Sequence, residues 1–500
     1  MIKILSVENM RKSDACTIAN STSGKELMLR AGKGVFESVV WKAPVAIVCG
    51  SGNNAGDGYV IAKLLHDSGI TCTVILLSDK FSEDGGYYFD ICRDAGIEIK
   101  MWNVAVDLSE YSTVVDCIFG TGFAGSVRGA VRDAIEAVNR SGAYVVSVDI
   151  NSGLGGDTGM AELCVKSDLT VSIGGFKPGH FLNMAKDVIK YKVNCDIGIE
   201  PVDRTCYLVE PSDLYGIFAP RNNYSNKGSY GYVALIGGSK RYIGAIRLAS
   251  MANAAMRSGA GVVKIALPGS LYPLILSEIL ESTVFPLADS DGDIRFVESE
   301  IAELISNVKT VAFGMGIGVS DAAAALLDYL LTHFTGRLIV DADGLTLLSK
   351  LPESRIKDAS CELVLTPHLK EFSRLVKTEI GEILRSPIDI AERYAKRTGA
   401  ILLLKGPSTV VTDGETTYIV DAGCAGMATA GSGDVLSGVL SAICAYSSDL
   451  LLGTAAGAYV NGKAGEAAQA ELGSISMTAS DTVKHIPEVI RSLERVQKTK

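Results

Sequence analysis

Between Ser6 and Trp41 the apolar residues recur at helical spacing, and a Ser/Thr cluster in STSGKELMLRAG stands just ahead of Leu27 and Met28, where a helix start is expected. Two leading helices are predicted. From Val45 the period changes. Short β-rich runs, VAIVCG, TCTVILLS, IEIKMW, TVVDCIFG and AYVVSVDI, alternate with helical stretches, and each ends in turn residues. That alternation predicts α/β architecture with a parallel, doubly wound sheet. In such sheets ligands bind beyond the carboxyl ends of the strands, which is where GSGNNAGDG, GTGFAG and NSGLGGDTG fall.

The alternation lapses between about Asp196 and Asn226, a polar stretch holding Pro201, Pro211 and Pro220. A second α/β series follows: GYVALIGGS, GVVKIALP, TVAFGMGIG, RLIVDADG, ELVLTPH, AILLLKG and STVVTDG, with Ala-rich helices between. Two domains are therefore expected, 1–211 and 212–500. A chain of 500 residues also exceeds what one hydrophobic core usually supports.

Composition narrows the function classes. With 47% hydrophobic and 21% charged residues the chain is globular. A net charge of -10 offers no broad basic surface, so neither nucleic acid nor an anionic membrane is an expected partner. The eleven cysteines form no CxxC pair and read as small core residues in a reducing cytosol. MIKILSVENMRKSD has no apolar signal core, and no long apolar run free of charge follows, so a cytoplasmic location is expected.

In the first half, Gly50 to Gly58 end a strand in small and polar residues that open a helix. Backbone N–H groups there can face a phosphate, although a merely tight turn is the plainer alternative. Asp116 and Asp149 each end a strand, and with Asn54 and Ser152 they make an oxygen-only set suited to a hard cation, or else they cap loops. In the second half, ATAGSGDVLSGVLSAICAY places Asp434 in the first helical turn behind small residues, an anion hole joined to a proton acceptor. Lys405 and Thr409 stand beside a strand end, suited to nucleotide contact. Asp341, Asp343 and Glu371 either hold magnesium or cap their loops. GAYVNGKA nearly spells a phosphate-binding loop but ends in Ala464 in place of the required hydroxyl, and is rejected. The five histidines show no metal-ligand spacing.

STSGKELMLRAG, GNNAGDG, VDCIFGTGFAG and VDINSGLGGDTG together resemble the NAD(P)H-hydrate epimerase family over essentially residues 1–210. The resemblance implies a Rossmann-like fold and a potassium ion held by Asn54, Asp116 and Ser152. It implies substrate loops at Asn53, Asn54, Ala55, Gly56 and Asp57, at Gly120, Thr121, Gly122, Phe123, Ala124, Gly125 and Ser126, and at Asp149. Where that family commonly has Pro this chain has Asn151, a change expected to loosen the loop. Asp149 is the expected acid-base group, with Lys177 of GGFKPGH stabilising developing charge or, alternatively, simply solvated.

NKGSYGYVALIGGSKRYIGA, VDADGL, TPHLKEF, KGPSTVV and AGMATAGSGD resemble the NAD(P)H-hydrate dehydratase family of the ribokinase-like superfamily, across roughly 212–500. By position Ala245, Gly316, His368 and Asp434 match its hydrate-binding residues, with Leu369, Lys370, Glu371, Phe372 and Ser373 continuing the His368 segment. Lys405, Gly406, Pro407, Ser408 and Thr409 match an adenine-nucleotide segment. So do Cys424, Ala425, Gly426, Met427 and Ala428, and Thr429, Ala430, Gly431, Ser432 and Gly433. Leu369 and Lys370 replace a usual Pro-Gly, which changes loop shape and removes no polar group.

The implied enzyme epimerises hydrated NADH or NADPH and dehydrates the S form, spending ADP (or ATP) with magnesium. Asp434 activates the substrate hydroxyl for attack on the terminal phosphate. The rival expectation is a small-molecule kinase, with a noncatalytic ligand-binding first domain. The expected partners are a small-molecule substrate and further copies of the chain in a homo-oligomer.

Overall fold

The computed structural model describes residues 1–123, 125–250 and 254–495. The chain divides into a smaller compact unit, Lys3–Cys206, and a larger one that runs from Tyr207 and includes Met1 and Ile2.

The smaller unit opens with the two expected helices, Val7–Asn20 and Gly24–Ser38. Each has a serine cap: Ser6 accepts from the Asn9 N–H and Ser23 from the Glu26 N–H. The second helix buries Leu27, Met28, Ala31 and Val35. It also buries Gly32, where a Cβ would come within 2.5 Å of Val60 on the helix Asn53–Asp67. The first helix differs, because its buried face is Asn9, Met10 and Ser13 and so is mostly polar.

Behind the helices lies a seven-stranded parallel sheet in the order Glu98–Met101, Cys72–Leu76, Val45–Cys49, Thr113–Cys117, Tyr144–Val148, Ser167–Ile173, Ile189–Cys195. Strand order reverses direction between Val45–Cys49 and Thr113–Cys117, the position where a doubly wound sheet opens a crevice. The loops after those strands are GSGNN and GTGFAG. The last two strands of the sheet were not among the expected runs.

The larger unit is built on a long mixed sheet. Strands Thr283–Leu287, Val262–Pro268, Tyr232–Ile236, Thr310–Phe313, Arg337–Val340, Glu362–Leu365 and Ile401–Leu404 are parallel neighbours in that order. Thr409–Thr412 and Thr417–Val420 then continue it in antiparallel pairing. Helix Ser432–Tyr446 buries Val435, Val439, Leu440 and Ile443 in the unit's core, beside helix Leu450–Leu472. The GAYVNGKA segment lies inside that second helix and is not a loop. A Cβ at Gly457 there would stand 2.5 Å from Leu440, and one at Gly462 2.7 Å from the Ala422 backbone, so its glycines serve close helix packing.

The expectation that Asn151 loosens its loop is corrected. Asn151 is fully buried, and its amide N–H groups donate to Val165 O at 2.9 Å, Ser167 Oγ at 3.0 Å and Val188 O at 3.1 Å. Its oxygen accepts from Thr170 Oγ1 at 2.5 Å. The amide ties three segments together where a proline would fix only its own φ. Asn151→Ala should destabilise the smaller unit by about 2–4 kcal/mol, because it strands buried donors and acceptors. A fall in the urea midpoint of that unit's unfolding transition checks this, and an unchanged midpoint refutes it.

Candidate active sites

The first site is a cavity of about 620 Å³ at the carboxyl edge of the smaller unit's sheet. Gly50 lets the chain turn there, since a Cβ would stand 2.1 Å from Ile118 O. The turn delivers Asn53, Asn54 and Asp57 to the cavity, while Ala55 and Gly56 pack inward and Gly56 rests against Met28. Gly120, Thr121, Gly122 and Phe123 form another wall, with Phe123 stacked on Phe119 at 4.4 Å. Gly125 and Ser126 are exposed and do not line the cavity, and Ala124 lies outside the described residues.

Asp149 and Lys177 form the centre. Asp149 follows its strand in a left-handed conformation, φ 65°, which aims its carboxylate into the cavity. Oδ1 accepts from Lys177 Nζ at 2.6 Å and Oδ2 from the Thr121 N–H at 2.9 Å. Lys177 is 1% exposed, so it is not a solvated loop lysine, and it also donates to Ile173 O at 2.8 Å. His180 fixes this corner: its Nδ1 accepts from the Lys177 N–H and its Nε2–H donates to Asp149 O. Burial and the Lys177 charge push His180 down to about 4, so it stays neutral. Burial pushes the Asp149 carboxyl up, but the charge and hydrogen bond of Lys177, with the Thr121 N–H, hold it below its ordinary value.

Three further carboxyls, Asp14, Asp57 and Asp84, line the cavity. Burial, with the charges of Asp149 and Asp14, raises Asp57 well above the usual carboxylate range. Asp14, from the first helix, is raised by burial and by Asp149 against the pull of Lys177. Sequence reading singled out no residue of that helix. The available signal was its polar inward face, which a helix packing only on a core does not need.

Asp116 and Ser152 lie beneath. Asp116 is fully buried and accepts from Ser147 Oγ at 2.9 Å and from Ser152 Oγ at 2.5 Å and N at 2.9 Å. Burial raises its pKa, and these hydrogen bonds oppose the rise. Neither the amide oxygen nor the amide nitrogen of buried Asn54 has a hydrogen-bond partner. An oxygen so placed on the cavity wall fits a hard cation.

The second site lies at the carboxyl edge of the larger unit's sheet. Gly431, φ 94°, precedes helix Ser432–Tyr446 and brings Asp434 into its first turn. Burial and the neighbouring charge of Asp341 push the Asp434 carboxyl up to about 7, against the opposing pull of Lys405. Lys405 donates to Asp341 Oδ1 at 2.9 Å, and Ser437 Oγ donates to Asp341 Oδ2 at 2.8 Å. Burial raises Asp341 too, but the charge and hydrogen bond of Lys405 keep it below its ordinary value. Gly433 stands beside this pair, since a Cβ there would lie 3.5 Å from both Asp341 Oδ2 and Lys405 Nζ, an ordinary contact. Ser432 Oγ is buried without a partner.

The neighbouring segments serve this centre unequally. Gly316, φ 64°, touches the loop of Tyr242 and Ala245, where a Cβ would meet both within 2.9 Å. His368 is exposed and caps helix Leu369–Val376: its Nδ1 accepts from the Lys370 and Glu371 N–H groups, and Glu371 Oε2 accepts from its own N–H. Leu369 is half-buried and Lys370 exposed, so Lys370 is open to a ligand. Phe372 is fully buried against Tyr394, and Ser373 Oγ donates to Thr378 O, so both serve packing. Gly406 and Pro407 are exposed, Thr409 starts its strand, and Ser408 Oγ donates to Asp421. Cys424 is a half-buried thiol. Ala425 to Met427 form a single turn in which the Gly426 N–H donates to Gln469 and Met427 meets Gly465, while Ala428, Thr429 and Ala430 are exposed.

Both Asp341 oxygens are used within the protein, Glu371 caps its helix, and one oxygen of Asp343 accepts from the Gly318 N–H. No cluster of three or more His, Cys, Asp or Glu fit to hold a metal occurs among the described residues. This donor set does not fit direct chelation of magnesium.

Two α/β units, each ending its strands on a lysine-paired aspartate with a raised carboxyl beside it, define a two-site enzyme of acid-base and phosphoryl chemistry. Residues 24–179 match the family described as YjeF-related protein N-terminus, and residues 233–488 match the NAD(P)H-hydrate dehydratase family. Proteins named bifunctional NAD(P)H-hydrate repair enzyme are 34% identical in Pyrobaculum aerophilum, covering 93% of each chain. In Methanothermobacter thermautotrophicus the identity is 35%, covering 93% of this chain and 91% of the relative. Among solved structures, the ADP/ATP-dependent NAD(P)H-hydrate dehydratase from Bacillus subtilis shares the fold of the second half, with TM-score 0.50, 24% identity, and 58% of this chain against 99% of that one. The chain belongs to the family of bifunctional NAD(P)H-hydrate repair enzymes.

Lys405 opposes the rise of the Asp434 carboxyl. Lys405→Met should therefore move the acid limb of the dehydratase pH profile to higher pH. Initial rates across pH check this, and a limb that stays in place refutes it.

Proposed function

We propose that residues 1–211 interconvert the R and S hydrates of NADH and NADPH, and that residues 212–500 dehydrate the S form with ADP, or ATP, as phosphate donor. The observation that carries this is Asp434, a carboxyl near neutral pKa in the first turn of a glycine-led helix, beside the Lys405 cation. As carboxylate it takes the proton of the substrate hydroxyl, whose oxygen attacks the terminal phosphate of the nucleotide. Lys405 and the helix N–H groups meet the charge that develops on the phosphoryl oxygens. Phosphate then leaves as the ring nitrogen's lone pair forms a double bond, and loss of the neighbouring carbon-bound proton gives the reduced nicotinamide. The products are NAD(P)H, phosphate and AMP when ADP is spent.

The Bacillus subtilis relative was co-crystallised with ATP and magnesium. Here magnesium would travel with the nucleotide phosphates and not on a protein cage. The nucleotide contacts are Lys405 to Thr409 and Cys424 to Gly433, and the hydrate contacts are Ala245, Gly316 and His368. In the first half Asp149 exchanges the proton of the hydrate's hydroxyl and Lys177 stabilises the charge. Asn53 to Asp57 and Gly120 to Ser126 hold the substrate. Potassium would be held by Asn54, Asp116 and Ser152 and would supply a fixed positive charge beside the substrate; the unpartnered Asn54 amide supports it.

A cytoplasmic setting fits eleven cysteines that are all free thiols, and no helix among the described residues is long and apolar enough to cross a membrane. Self-association into a homo-oligomer is supported by the edge strand Ile189–Cys195, which leaves Tyr191 62% exposed.

The test supplies both hydrate epimers with ADP and follows reduced nicotinamide by absorbance. The full chain should recover both epimers. Asp434→Asn should recover neither, and Asp149→Asn should recover the S epimer alone. The wild-type dehydration rate should climb as pH rises through about 7, where Asp434 becomes the carboxylate that accepts a proton. A stable phosphorylated product in place of reduced nicotinamide would mean a kinase and sink the reading.

A further inference from the structure

The epimerase cavity is lined by four carboxyls, Asp14, Asp57, Asp84 and Asp149, together with Lys177 and Arg11. Lys177 is committed to Asp149 Oδ1, and the other Asp149 oxygen takes the Thr121 N–H. Asp14 is different. It stands on the first helix, Val7–Asn20, one turn beyond Arg11, which lines the same cavity and donates to Gly122 O at 3.4 Å. The helix is fixed without help from Asp14. Ser6 caps it, the Val7 N–H donates to Asp157, and Asn9 Nδ2 donates to the carbonyls of Asp203 and Arg204. Asp14 thus points a carboxyl at the site from a helix that is already anchored by other residues.

We propose that Asp14 is the second proton-transfer residue of the epimerase, acting as the acid to the base of Asp149. The inference rests on the epimerase reading of this cavity. Its chemistry follows from the hydrate, a carbinolamine whose hydroxyl must leave one face of the ring carbon and return to the other. The Asp14 carboxylic acid gives its proton to that hydroxyl. The carbon–oxygen bond breaks with its electron pair on the departing water, and the ring nitrogen's lone pair forms a carbon–nitrogen double bond. Water then adds to the opposite face and its proton passes to the Asp149 carboxylate. The proton has moved from Asp14 to Asp149, the opposite epimer is converted by the same steps in reverse, and no other atom is gained or lost.

The two environments support opposite roles, because carboxyls of one site whose proton affinities are driven apart divide into an acid and a base. Asp149 is held ionised by Lys177, whereas burial and the Asp149 charge favour the protonated form of Asp14 against the pull of Lys177. Asp57, on the helix Asn53–Asp67, adds a further carboxyl whose influence is coupled to Asp14, and Arg11 is the cation one turn away. Asp14 is carried by the helix Val7–Asn20, whereas Asp149 directly follows a sheet strand, so the two reach the cavity from different elements.

The test measures epimer exchange by the full chain without nucleotide, across pH, for Asp14→Asn, Asp14→Glu and Asp14→Ala. Asp14→Asn keeps the shape and should lower kcat for exchange by about 10²–10⁴-fold, with KM changed less than about threefold and the high-pH limb of the profile lost. Asp14→Glu should regain part of the rate. Formate should restore exchange to Asp14→Ala, which a purely structural role would not allow. A wild-type kcat and profile in Asp14→Asn overturns the proposal. So does a raised KM with unchanged kcat, or a loss that formate and Asp14→Glu both fail to repair. If the wild-type chain itself exchanges no epimers, the epimerase reading has failed, a result separate from all of these.

Discussion

A lysine ammonium buried at the end of a parallel sheet stays charged only where a carboxylate meets it, and each half of this chain is organised around one such pair. In the smaller unit it is Lys177 with Asp149, and in the larger it is Lys405 with Asp341. The pair does more than neutralise itself. It holds one carboxyl below its ordinary value, and burial, reinforced by that negative charge, raises the proton affinity of its neighbours, Asp57 and Asp14 in one unit and Asp434 in the other. A site that needs a proton donor or acceptor near neutral pH obtains it from ordinary aspartates this way, without histidine chemistry. His180, the one buried histidine at either centre, stays neutral and serves as a bracket.

The α/β alternation and most of the parallel strands were legible because strands buried on both faces leave near-continuous apolar runs, of which VAIVC and TVVDC are examples. Thr417–Val420 and Thr283–Leu287 were not, since they are short runs whose strand character depends on the neighbours they pair with. The Asp434 loop was legible too, because glycines directly before an acidic first helical turn are a local signature. Asp14 left no such mark. Its place in the cavity depends on how the first helix packs, and the polar inward face of that helix is the trace it leaves in the sequence.

Asn151 shows the opposite error. As a departure from a proline it suggested slack, yet its buried, bonded amide ties the loop to Val165, to Ser167 and Thr170 of one strand, and to the helix-end carbonyl of Val188. Loop order at this site is thus carried by a side chain and not by a fixed backbone angle. The buried position of Lys177 was equally hidden, because the sequence shows a lysine between Phe and Pro and nothing of the carboxylate that receives it.

The left-handed backbone at Asp149 limits how this locus can drift and how it can be probed. Glycine, asparagine and aspartate tolerate that conformation, while a Cβ without a short polar group pays for it in strain of order 1 kcal/mol. An alanine at this position therefore confounds lost chemistry with a displaced loop, and a glutamate brings the same backbone penalty together with its longer reach. Among neighbouring sequences the accessible steps are few, and the one that keeps both the fold and the hydrogen-bonding shape removes only the negative charge. The position is held twice over, by its ion pair with Lys177 and by its peptide geometry.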